Sequence, residues 1–336
     1  MSQSFDIAVI GATGTVGETI VQILEELDFP VGQLHLLASI ESAGHSVPFR
    51  GKNVRVKEVD EFDFNKAQVA FFAAGPAITR SYAARALAAG CSVIDLSGGL
   101  PAADAPGVVP EINAQSIESH GKPYQISSPS ASGTAIALTL APLLGVLEIL
   151  RVNVTACLAV SSQGREGVAE LARQTTELLN IRPIEPRFFD RQMAFNLLAQ
   201  VGTPDAQGHA PLEVRLVAEL RELLALPLLK VSATCVQAPV FFGDSYTVSL
   251  QTSRPVDLQA VNAALEAAAG IELVEAGDYP TAVGDAVGQD VVYVGRVRSG
   301  IDDPCELNLW VTSDNVRKGA ALNAVQVAQL LIKDYV

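Results

Sequence analysis

Residues 6–20, DIAVIGATGTVGETI, carry the pattern on which the reading of the whole chain turns. Ile7, Ala8, Val9 and Ile10 form a short unbroken apolar run, as expected of a parallel strand covered on both faces. The run stops at Gly11-Ala12-Thr13-Gly14-Thr15-Val16-Gly17, after which Val16, Ile20, Leu24 and Leu27 recur at helical spacing with Glu18, Glu25 and Glu26 on other faces. A strand that passes through such a turn into a helix is suited to holding a phosphate. Gly11 and Gly14 let backbone N–H groups approach a pyrophosphate, Gly17 lets the helix pack on the strand, and the helix N-terminus adds partial positive charge. Gly11, Thr13, Gly14, Thr15 and Val16 are therefore the candidate dinucleotide-binding residues. A tight turn that binds nothing would need the same glycines.

Outward from this turn, strands and helices alternate over residues 5–128, which predicts an open parallel sheet of Rossmann-like type. Strands are expected at 34–38, 68–74 and 91–96, with an alanine-rich helix around 82–89 after the Gly75-Pro76 turn. Glu41 lies about where a dinucleotide fold reads the adenosine ribose. A carboxylate there accepts bonds from both ribose hydroxyls and repels a 2′-phosphate, favouring NAD over NADP; a solvated loop charge is the alternative.

From about Arg151 the pattern changes to longer, β-branched, partly alternating strands at 152–160, 231–236, 245–251, 291–297 and 307–311. These predict an α+β second domain with an antiparallel or mixed sheet. Helices are expected at 167–179, 212–224 and after Asp257 as N-cap, and residues 183–208 read as an extended connection. A last helix at 319–332 returns the chain to the first domain. The expected division is 1–128 with 315–336 for the dinucleotide-binding domain and 129–314 for the substrate and dimerisation domain.

A length of 336 residues suits two domains, and a composition 49% hydrophobic and 18% charged is that of a globular protein. A formal charge of −14 has the wrong sign for nucleic acid or an anionic membrane. With no leader-like start and no apolar run of membrane length, the cytoplasm is the expected location. Cys91, Cys157, Cys235 and Cys305 are scattered, and His35, His45, His120 and His209 look peripheral, so neither a metal site nor a disulfide framework is expected.

Several motifs together resemble one family: Ile10–Gly14 of the turn, Val109-Pro110-Glu111-Ile112-Asn113, residues 161–171, Met193-Ala194-Phe195-Asn196, and above all Asp314-Asn315-Val316-Arg317-Lys318-Gly319-Ala320-Ala321-Leu322-Asn323-Ala324. Nearly the whole chain is similar to aspartate-semialdehyde dehydrogenase. In that family a cysteine thiolate attacks the aldehyde, hydride passes to NADP, phosphate resolves the thioester, a histidine acts as base, and arginines hold the substrate carboxylate and the phosphate. The resemblance implies the two-domain fold, a homodimer formed through the second sheet, and cofactor contacts that include Gly75 and Asn323.

Residue by residue, the same resemblance implies lost chemistry. The nucleophile motif falls on Pro129-Ser130-Ala131-Ser132, so Ala131 stands in place of the cysteine, and a methyl group forms no thioester. The supporting glutamine falls on Leu158, the substrate arginine on Gln237, the histidine on Asp244 and the phosphate arginine on Pro101. A substrate-side lysine survives as Arg215, with Leu212 where a glutamate stands, and Glu41 occupies the position of the arginine that holds the NADP 2′-phosphate. The pattern resembles the Usg-type branch of the family. Cys157 should face away from Leu158, and Cys235 reads as core. Ser130 and Ser132 read as local hydrogen-bonding or capping residues. Asp244, in a Gly-Asp-Ser turn, reads as a surface turn, with a carboxylate base as the alternative.

The expectation is a homodimeric NAD(P)-binding homologue without the phosphorylating activity, for which pairing with an active paralogue is a natural role. The alternatives are an active NAD(P)-dependent oxidoreductase of another small substrate and persistence of the ordinary reaction in amino-acid biosynthesis.

Overall fold

The computed structural model describes residues 3–119 and 121–335; Met1, Ser2, His120 and Val336 lie outside them. The chain divides into two compact units, Met1–Ser130 with Ala320–Val336, and Ala131–Gly319. Pro129 and Ser130 thus belong to the first unit and residues 315–319 to the second, a few positions from the boundaries read in the sequence.

In the first unit, β1 (Phe5–Ile10), α1 (Thr15–Glu26), β2 (Val31–Ala38), β3 (Ser46–Phe49), β4 (Lys52–Glu58), β5 (Val69–Phe72), α2 (Pro76–Ala88), β6 (Ser92–Asp95), the short α3 (Pro110–Asn113) and β7 (Gln125–Ser127) follow in order. They build a seven-stranded sheet ordered β3-β4-β2-β1-β5-β6-β7. All its neighbours are parallel except β3 and β4, an antiparallel hairpin at the edge that the sequence reading missed. Alternation along β1 sends its side chains to two cores. Ile7 and Val9 pack with Ile20 and Leu24 of α1, whereas Ala8 and Ile10 pack with Ala83 and Ala86 of α2. Each face is covered, which is why the apolar run is unbroken.

The second unit contains α4 (Ala131–Leu140), β8 (Ile149–Leu158), α5 (Gly164–Leu179), α6 (Pro211–Leu223), β9 (Lys230–Gln237), β10 (Asp244–Thr252), α7 (Leu258–Glu266), β11 (Ile271–Leu273), β12 (Val292–Ser299) and β13 (Glu306–Ser313). Its six-stranded sheet runs β11-β12-β13-β10-β8-β9 and is mixed: β8–β9 and β11–β12 are parallel pairs, the others antiparallel. Asp257 caps α7 by accepting the N–H groups of Gln259 (3.0 Å) and Ala260 (3.3 Å). Residues 183–208 form neither helix nor strand apart from one bridge, Leu198 to Gln237.

The last helix is shorter than the sequence suggests. Only Asn323–Leu330 (α8) is α-helical, between π-helical turns at Arg317–Leu322 and Leu331–Tyr335. Among the described residues no helix is long and apolar enough to cross a membrane.

Candidate functional site

The glycine turn lies at the carboxyl end of β1. Gly11 has φ +84°, a conformation that side chains resist, and a Cβ on it would come within 2.8 Å of the Ala73 backbone on the neighbouring chain segment. A Cβ on Gly17 would lie 2.1 Å from the Gly11 carbonyl oxygen, so only glycine lets α1 start this close to the strand. Gly14 is the N-cap of α1 and has no side chain to cover the first N–H groups, while the space over Gly75 is open. Thr13, Gly14, Thr15 and Val16 are half-buried around that helix end, and Glu41 is exposed on the turn after β2, the strand beside β1. Backbone donors and partial positive charge thus gather at the carboxyl edge of a parallel sheet, as a pyrophosphate requires.

Asn323 is wholly buried in this unit. Its Nδ2 donates to the Val108 carbonyl (3.0 Å) and to Ser128 Oγ (2.9 Å), and no partner reaches its Oδ1. Its amide pins α8 to the segment around β7. Pro101 is exposed beyond the Ser97-Gly98-Gly99 loop, which buried Asp95 ties down through the N–H groups of Ser97 (2.8 Å) and Leu100 (3.1 Å).

In the second unit the fold brings together Leu158, Gln237 and Asp244 at one end of the sheet. Leu158 pairs with Gln237 across the parallel strands β8 and β9, and the N–H of Ala159 reaches Asp244 Oδ1 at 2.9 Å. Ala131 opens α4, and its neighbour Ser132 bonds the Tyr246 hydroxyl, which donates to Asp244 Oδ2 (3.1 Å). Arg215, on α6, holds Glu219 through its Nε at 2.7 Å.

Two expectations are corrected here. Asp244 is not a surface-turn residue but 1% exposed, because the Gly-Asp-Ser segment opens a central strand of the sheet. Ser132 does not act locally either; it is buried and bonded to Tyr246 on β10. Tyr246 and the Ser161–Asn315–Gly243 hydrogen bonds went unnoticed in the sequence, since the bonds from Asn315 join residues far apart along the chain. Asp314, within the motif that carries the resemblance, accepts the N–H groups of Val316 (2.9 Å), Arg317 (2.8 Å) and Gly288 (2.8 Å).

Burial pushes the Asp244 carboxyl from its ordinary 3.8 up to about 7, against the bonds from Ala159 and Tyr246, and the Asp314 charge adds to the rise. A carboxyl whose folded value lies above its unfolded one stabilises the fold fully below about pH 4. That contribution is lost as pH rises through about 7, a change on the order of a few kcal/mol. Asp244→Asn, which stays neutral, should therefore flatten the fall in melting temperature between about pH 5 and pH 8. Parallel wild-type and variant curves by differential scanning calorimetry would remove Asp244 from this role.

The thiols lie elsewhere. Cys91 and Cys235 are wholly buried, and burial pushes both up to about 12. Cys157 is raised by burial and by Asp244, and it lies on the opposite face of β8 from Leu158. Cys305 precedes β13. His45 and His209 are exposed, and the His35 ring, on β2, lies 5.0 Å from the Phe62 ring at a tilt of 51°.

A phosphate cradle on a covered parallel sheet, followed by a unit built on a mixed sheet, defines an α/β protein of the dinucleotide-fold class. Residues 6–120 match the family described as semialdehyde dehydrogenase, NAD binding domain, and residues 140–318 match semialdehyde dehydrogenase, dimerisation domain. The chain belongs to the aspartate-semialdehyde dehydrogenase family. It is similar to a USG-1 protein homolog of Azotobacter vinelandii, 62% identical over 99% of both chains, and to aspartate-semialdehyde dehydrogenase 2 of Vibrio cholerae, 43% identical over the full length of both. A solved structure of a probable aspartate-semialdehyde dehydrogenase from Pseudomonas aeruginosa superposes with a TM-score of 0.97 at 57% identity, over 99% of this chain and all of that one.

Proposed function

We propose that this chain is a dinucleotide-binding, homodimeric member of the family that has relinquished the thiolate-dependent phosphorylating reaction. The observation that carries this reading is the position of the sulfurs. Ala131 presents a methyl group at the start of α4, and within the second unit the thiols offer no substitute: Cys157, next to Leu158, lies on the opposite face of β8 and is raised by burial and by the Asp244 charge, Cys235 is wholly buried and pushed up to about 12, and Cys305 precedes β13. Without a thiolate no thioester forms, and without a histidine or arginine there is neither the usual base nor a clamp for anions.

The nucleotide would be held by Gly11, Thr13, Gly14, Thr15 and Val16, with Gly75 alongside. A bound nicotinamide dinucleotide supplies hydride exchange. Glu41 favours NAD, because its carboxylate accepts the ribose hydroxyls and repels a 2′-phosphate. Calorimetric titration should show NAD binding more tightly than NADP, and Glu41→Arg should reverse that order by about tenfold or more. An unchanged order in the variant would exclude Glu41 from the ribose site.

The family reading as a whole is tested with purified protein, aspartate semialdehyde, phosphate and either nucleotide. Nucleotide binding without turnover supports it; phosphate-dependent turnover overturns it. The match to a dimerisation domain supports a dimer formed through the second unit, and partnership with an active paralogue in the cytoplasm belongs to the same proposal.

One observation favours a second reading. Asp244, poised near neutrality and bonded to Tyr246, which in turn meets Ser132, is a proton-handling group of the sort an oxidoreductase needs. In that case turnover of another small aldehyde or alcohol with NAD should depend on Asp244.

A further inference from the structure

The second unit holds a cavity of about 820 Å³, within the range of small-molecule sites, walled by the 183–208 connection and floored by Gln237. The wall is fastened to α5. Glu170 Oε1 accepts the Arg187 N–H (2.9 Å), Arg173 donates to the Glu185 carbonyl (2.8 Å), and Gln174 Oε1 accepts the N–H groups of Met193 (2.7 Å) and Ala194 (3.1 Å). At the far end Leu198 and Gln237 exchange both backbone hydrogen bonds, at 3.0 and 2.8 Å. A segment without helix or strand is in this way held in one shape, and the cavity is preformed.

Its polar groups show what it accepts. Gln237 is 2% exposed, and its Nε2 is spent on the Leu158 carbonyl (2.8 Å) and Ser162 Oγ (3.4 Å). A carbonyl partner fixes the amide orientation, since only the NH2 end can face it. Gln200 is fixed likewise, its Nε2 donating to the Gly202 carbonyl at 3.2 Å. Both carboxamides are left with an oxygen that can accept. The cation of the lining, Arg191, is 77% exposed and paired with Asp190 at 3.4 Å. Phe188 and Phe189, edge to face at 5.0 Å, supply an apolar side.

We propose that this cavity binds a neutral small molecule with an apolar body and a hydrogen-bond donor, an alcohol or primary amide rather than a carboxylate or phosphate. An acid entering here would meet the two glutamine oxygens and the Asp190 carboxylate, and although Gln163 and Thr203 also line the cavity with neutral donors, the cation of the lining is a solvated arginine already paired. An amide or hydroxyl donor meets the acceptors that the two glutamines leave over. The proposal deepens the reading in which Gln237 lies on the ligand side of the second unit.

The test uses the full chain and matched probes, benzamide, benzyl alcohol and benzoate, followed by ligand-observed NMR at pH 7.5. Benzamide and benzyl alcohol should each bind at least about tenfold more tightly than benzoate. Gln237→Arg should invert the ranking, and the double variant Phe188→Ala with Gln200→Ala, on the exposed rim, should weaken benzamide by about tenfold while the protein stays folded. Equal or tighter binding of benzoate overturns the proposal, as does absence of benzamide binding up to about 20 mM or benzamide binding untouched by the rim variant. Any of these results leaves the nucleotide reading standing, whereas turnover of aspartate semialdehyde overturns that reading without bearing on the probe ranking.

Discussion

Restoring five groups together, with Ala131→Cys, Leu158→Gln, Gln237→Arg, Asp244→His and Pro101→Arg, should give phosphate-dependent reduction of nicotinamide nucleotide by aspartate semialdehyde at least about 100-fold above the unaltered chain. The scaffold favours this result. Position 131 opens α4, where the helix N-terminus lowers a thiol toward the thiolate, and positions 158, 237 and 244 already meet at one end of the second sheet. Residues that act as a unit are far from additive, so Ala131→Cys alone should stay within about tenfold of background. Because Glu41 disfavours the 2′-phosphate, the assay is run with both NAD and NADP. Asp244→His is the demanding step, since it must replace the bonds to Ala159 and Tyr246 inside a buried cluster. A folded five-fold variant with no activity would show that the geometry of the site has departed from the family's along with its side chains.

The second large effect concerns the glycine turn. Gly17→Ala places a methyl group 2.1 Å from the Gly11 carbonyl oxygen and 2.9 Å from Ala12 Cα, both backbone atoms that no rotamer change can move aside. α1 must shift away from β1, and with it Ile20 and Leu24, which pack against Ile7 and Val9. A loss of about 3 kcal/mol and a fall of roughly 10 °C in melting temperature are expected. Gly75→Ala serves as control: its φ is −70° and nothing lies within 4 Å of the added carbon, so the melting temperature should change by no more than about 2 °C. Equal melting temperatures for the two variants would mean that the strand and helix are not held together at this point.

The two units differ in how much of them local pattern reveals. In the first, β1, α1, β5, α2 and β6 follow from unbroken apolar runs, helical spacing and glycine stops, because a sheet covered on both faces leaves no alternation to misread. The β3–β4 hairpin escaped notice. Its strands are short and largely exposed, include Pro48, and lie at the sheet edge where no hydrophobic run is required. In the second unit the helix cap at Asp257 was legible, since capping acts over three residues. The π-helical turns on either side of α8 were not, since their residues suit an α-helix equally well.

The sequence by itself determined the phosphate turn, the two sheets, the family, and the residue types that stand at each position of the site, for these depend on neighbours a few places apart or on motifs read directly. Only the tertiary structure decided what those residues meet. A Gly-Asp-Ser segment has the same local chemistry on a surface or inside a sheet, and it is the pairing of β10 with β8 and β13 that buries Asp244, raises its carboxyl and sets Tyr246 between it and Ser132. The cavity at Gln237 is of the same kind, since its walls come from segments that nothing short of the folded chain brings together.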